Sequence, residues 1–65
     1  MPSTVIRSFI YDAASQSLAI TFTSGRRYRY HGVPAGIYHA MRAAFAKGEF
    51  FNRQIRDRFH CTPET

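Results

Sequence analysis

Acidic residues are scarce in this chain: Asp12, Glu49, Asp57 and Glu64 are the whole set in 65 residues. Glu49 and Asp57 read as one side of a helix, Asp12 lies in a connection and Glu64 near the end. No two carboxylates are placed for acid–base catalysis. Cysteine occurs once, at Cys61. One thiol forms no internal disulfide, which excludes the stapled secreted class and fits a reducing cytoplasm. Cys61 with His31, His39 and His60 matches no zinc spacing, and adjacent His60 and Cys61 make a poor tetrahedral pair. A Cys–His nucleophile needs a base oriented by a third group, and none is in view. The stretches "SGRR" and "AKGEFFN" lack the spacing of a phosphate-binding glycine loop. No apolar run approaches the about 18 residues of a membrane span, and "MPSTVIRSF" lacks the charged start of a signal peptide. The expectation is a cytoplasmic, non-catalytic protein with no metal, no cofactor and no membrane partner.

Aromatic and cationic residues are what the chain does have. Six Phe and four Tyr bring the aromatic share to 15%, within a hydrophobic total of 45%. A chain this short makes one domain, residues 1–65, and buries only about 60% of its unfolded surface. The aromatic mass supplies the core that such a small domain needs, and it excludes disorder. Nine cations, eight of them Arg, against four acids give a net charge of +5. The planar guanidinium fork suits phosphate and carboxylate, so the balance points to an acidic partner such as RNA.

Three strands are expected first. "TVIRSFIY", residues 4–11, is β-branched and aromatic, but Ile6 and Ile10 sit on the opposite parity from Val5, Phe9 and Tyr11. Either both faces are covered or a bulge shifts the phase. "LAITFTS", 18–24, keeps Leu18, Ile20 and Phe22 on one face, and "RRYRYH", 26–31, follows Gly25. A three-residue loop, Thr23-Ser24-Gly25 with Gly25 left-handed, sets Ile20 opposite Tyr28 and Leu18 opposite Tyr30. A two-residue loop would mix apolar and polar faces, so the longer loop is expected and both tyrosines go to the core.

Two helices complete the order. Pro34 suits a first helical position, and Ile37, Ala40, Met41 and Ala44 have amphipathic spacing over 33–45. Gly48 reads as the left-handed residue ending that helix. A second helix over 49–59 repeats Phe51, Ile55 and Phe59, with Glu49, Arg53 and Asp57 as an ion-pair ladder on its other side. Pro63 keeps residues 60–65 as a polar tail. The fold expected is α+β: a three-stranded antiparallel meander followed by two helices packed on one face.

If Tyr28 and Tyr30 face the helices, then Arg27, Arg29 and His31 line the other side of the sheet. Lys47, Arg53, Arg56 and Arg58 cluster late in the chain. The candidate RNA contacts are therefore Arg27, Arg29, Lys47, Arg53 and Arg56, which would bind phosphate without reading sequence. The RNA could be tRNA or single-stranded. The alternative is an acidic protein, or a second copy pairing along a free sheet edge. Long-stemmed arginines also cover an open sheet face with no partner at all.

The fragments "YD", "LAITF", "YRY", "VP" and "KGEFFNRQIRDRF" resemble the KTSC domain, named for the C-terminal domain of some lysyl-tRNA synthetases and also found as small bacterial proteins. The resemblance runs from about residue 3 to residue 59. It implies RNA binding only by association with a tRNA-charging enzyme. The matching positions are Tyr11, Gly25, Tyr28, Tyr30, Val33, Pro34, Tyr38, Gly48, Phe51, Asn52 and Ile55, most of them fold determinants. Asn52 either bonds backbone at the helix junction or faces a ligand, with the structural role favoured. Ile10 stands where the family often has Gly. Ala46 stands where Ser is common, which removes a hydroxyl that could cap the second helix or contact a ligand, so the resemblance does not carry over a site there.

Overall fold

The computed structural model describes residues 6–64. Strand β1, Ile6–Asp12, pairs antiparallel with β2, Ser17–Phe22, which pairs with β3, Arg27–Tyr30. Helices α1, Ala35–Ala43, and α2, Lys47–Gln54, follow. A last strand, β4, Cys61–Pro63, returns to pair with β3 and completes a four-stranded sheet in the order β1-β2-β3-β4. The α+β class holds, with one strand more than the hydrophobic pattern indicates.

The β2–β3 hairpin has the expected register. Leu18 lies opposite Tyr30 and Ile20 opposite Tyr28. Phe22 N donates to Arg26 O and Gly25 N to Phe22 O, both at 2.9 Å, so Thr23-Ser24-Gly25 is the loop. Gly25 has φ +93°, a conformation in which an L side chain is strained. In β1 the pairing steps from Ile6↔Phe22 to Ser8↔Thr21. Arg7 is the extra residue of a bulge. The bulge puts Ile6 on the same face as Phe9 and Tyr11, all three packed against the core, and leaves Ile10 exposed. Val5, whose parity raised the question, lies outside the described residues.

The core is Leu18, Ile20, Tyr30, Val33, Met41, Phe51 and Ile55, all buried. Phe51 holds it together by edge-on contacts with Phe22 and Tyr30, each at 5.4 Å between ring centroids. Such aromatic pairs add to area burial because ring edge and ring face carry opposite partial charge.

Both helices are shorter than their apolar periodicity suggests. Pro34 is the N-cap of α1 rather than its first helical residue, and Ala44 is already extended. Lys47 Nζ donates to the Ala44 carbonyl at 2.9 Å, satisfying an acceptor the broken ladder leaves open. Gly48 does not end α1. It lies in the first turn of α2, and the left-handed glycines among the described residues are Gly25 and Gly32. Helix α2 stops at Gln54 because Ile55 N and Arg56 N both donate to Phe51 O, at 3.0 and 2.9 Å. Asp57 therefore falls outside the helix, and the expected ladder with Glu49 and Arg53 does not form among the described residues.

The polar tail is corrected too. Helix α2 has already ended at Gln54, so Pro63 stops no helix, and an extended chain tolerates proline at a sheet edge. Residues 61–63 are held by Cys61↔Tyr30, Thr62↔Arg29 and Pro63↔Tyr28. No helix of the described residues is long and apolar enough to cross a membrane.

Candidate nucleic-acid interface

The aromatic motif residues turn inward. Tyr11 donates its hydroxyl to Val33 O at 2.6 Å and stacks on Tyr38 at 4.6 Å, with the rings 13° from parallel. Val33 N donates to Gln16 O at 2.8 Å, so the chain entering α1 at Pro34 is pinned to the β1–β2 hairpin. Tyr30 is buried and Tyr28 half-buried, its ring edge-on to Phe22. Phe51 and Ile55 are buried from α2 and the turn after it. These rings and aliphatic groups set the fold and offer no free platform. Asn52 is half-buried, and its Oδ1 is enclosed without a hydrogen-bond partner among the described residues. The backbone bond expected of it is absent there.

The cations divide between two layers. Arg27 and Arg29 leave β3 on the side opposite Tyr28 and Tyr30, on the sheet face that the helices do not cover. Arg27 is exposed, but Arg29 Nε meets Glu64 Oε2 at 2.6 Å. Glu64 is placed by its own backbone N–H on Arg27 O at 2.9 Å, and beside it His31 Nε2 lies 3.0 Å from Thr62 Oγ1. This small polar patch depends on β4, which is why treating 60–65 as a tail hides it. Arg53 projects from α2 and is exposed, as is Arg56 in the following turn. Lys47 is half-buried, with its ammonium on the Ala44 carbonyl. Arg58 folds back to donate to Arg53 O at 3.0 Å. The five expected contacts thus form two groups: Arg27 with the partly neutralised Arg29, and Lys47, Arg53 and Arg56 on the helical side.

The apolar pattern of the chain carries no mark of one feature of this region. Phe45, between α1 and α2, is fully exposed. It stands four residues after Met41 and eight after Ile37, so a continuous helix would have carried it onto the core face. The break at Ala44 turns it outward instead. It forms one wall of an open hollow of about 320 Å³ that Glu49, Phe50, Arg53 and Gln54 also line. Among the described residues no three His, Cys, Asp or Glu side chains lie together to hold a metal ion.

The family model of the KTSC domain matches residues 2–59. The chain belongs to the KTSC domain family. This KTSC domain superposes on the crystal structure of a KTSC domain protein from Yersinia pestis with a TM-score of 0.91 at 32% identity, covering 100% of this chain and 90% of that one. It is 39% identical to a protein of Tsukamurella paurometabola over 59 residues, 91% of this chain and 88% of the relative. It is also 38% identical over 55 residues to a lysine–tRNA ligase of Nostoc punctiforme, matching 85% of this chain but 10% of that enzyme. The KTSC domain is therefore both most of a small protein and a minor part of a large one.

Proposed function

We propose that this KTSC domain is a non-catalytic module that binds RNA weakly, through Arg27 on the sheet and Lys47, Arg53 and Arg56 on the helical side. One observation carries the reading. Of nine cationic side chains, only Arg29 has a carboxylate within ion-pair distance among the described residues, and Lys47 and Arg58 donate to backbone carbonyls, which leaves six with neither kind of partner there. Guanidinium groups held on a small rigid scaffold suit phosphate oxygens, and most protein contacts to a nucleic acid are of that kind. The likeness to one tenth of a lysine–tRNA ligase supports tRNA or single-stranded RNA as the polyanion.

Pairing with a second copy along a sheet edge is less well supported. Edge strand β1 carries the bulge and the charge of Arg7, and edge strand β4 has three residues and ends in Pro63. Both are features that blunt edge-to-edge association.

Fluorescence-anisotropy titration against tRNA and single-stranded RNA at low salt tests the reading. Arg27→Gln and Arg53→Gln are each expected to weaken binding. Glu64→Gln is expected to strengthen it, because it frees Arg29. An absence of binding above background would contradict the reading.

A further inference from the structure

The hollow beside Phe45 combines an exposed ring, an apolar floor and a polar rim. An entire phenylalanine ring stands in water, at a cost in exposed apolar area that the fold gains nothing from. Behind it, the half-buried Phe50 gives an apolar floor. Around it, Arg53, Gln54 and Glu49 give a polar rim. At about 320 Å³ the space lies at the small end of ligand pockets, with room for one flat heterocycle. Arg53 remains without a carboxylate partner although Glu49 stands one helical turn before it.

The surroundings are cationic. Arg53 lines the hollow, Lys47 Nζ donates to the carbonyl of its lining residue Ala44 at 2.9 Å and Arg58 Nε to the carbonyl of Arg53 at 3.0 Å, against the single carboxylate of Glu49. An apolar peptide would use the ring but not this charge. Polyphosphate would use the charge but not the ring. An unpaired nucleotide uses both.

We propose that the Phe45 hollow is the site where one unpaired base of single-stranded RNA stacks. Phe45 is the platform, Arg53 holds a flanking phosphate, and the Gln54 amide and Glu49 carboxylate face the polar edge of the base. The inference rests on the RNA-binding reading above and adds to it the strandedness and the contact point. Every base has a π-face, so the site is tolerant of sequence and rejects duplexes, whose bases are already stacked.

The chain has no tryptophan, so Phe45→Trp installs a single indole reporter at the platform. Uridylate and adenylate homopolymers are expected to quench its fluorescence, whereas inorganic polyphosphate and duplex RNA are not. Phe45→Ala is expected to keep the wild-type melting temperature, because the ring touches no core. It is expected to weaken homopolymer binding about tenfold with an unchanged salt slope, whereas Arg53→Gln lowers the slope by about 0.7. If the wild type binds homopolymer but neither the quenching nor the Phe45→Ala loss is seen, the hollow is not the stacking site and the RNA reading stands. If the wild type binds no RNA, that reading falls and the inference with it. An indole signal that follows protein concentration alone, with a dimer in sedimentation, would assign the hollow to a second copy and overturn the inference.

Discussion

Tyr30 carries a hydroxyl that burial pushes from an ordinary pKa of 10 up to about 12, with the neighbouring Cys61 thiol and Tyr28 adding to the shift and the Arg56 charge opposing it. Below pH 10 the phenol is neutral in both folded and unfolded chains, and the stability it contributes is complete. As pH rises from 10 towards 12 the unfolded chain loses its proton first, so that contribution declines. Denaturation midpoints measured across this window are expected to fall, and Tyr30→Phe is expected to remove part of the fall. Gly25, at φ +93°, makes a second prediction at this scale. Gly25→Ala should cost about 1–2 kcal/mol in denaturant titrations, from backbone strain alone. Both residues were legible in the sequence, because strand parity and the need for one left-handed residue follow from local rules. Phe45 was not. Its exposure depends on where α1 breaks, and apolar periodicity runs through that break without a mark.

Among the elements, α2 starts without help. Its N-cap is Ala46, in an extended conformation and with no side-chain hydrogen bond, so early backbone N–H groups lack the usual hydroxyl partner. Glu49 stands three residues on, where a capping box places its acid. Ala46→Ser should therefore stabilise the domain by about 1 kcal/mol, seen as a higher melting temperature. The three-strand meander and both helices were legible, since hairpin register and amphipathic spacing are local. Strand β4 was not. "CTP" has no alternating pattern, and its three residues become a strand only because β3 presents an unpaired edge. With β4 unseen, the partnership of Glu64 with Arg29 was unseen as well, and Arg29 read as a free cation.

For the molecule as a whole, charge and shape give complementary information. The net charge of +5 says nothing of where the cations sit. The fold spreads the cations over two layers and neutralises one of them at Glu64. It also removes Tyr28 and Tyr30 from contention as stacking groups by turning them into the core. On the RNA-binding reading proposed above, the contacts left are the exposed arginines and the Phe45 ring, and about three to five phosphates of a single strand would be met. The most direct test is the salt dependence of single-stranded RNA affinity. A log–log slope of about −2 to −4 is expected. A slope near zero, or no measurable affinity at the lowest salt, would contradict binding through these cations.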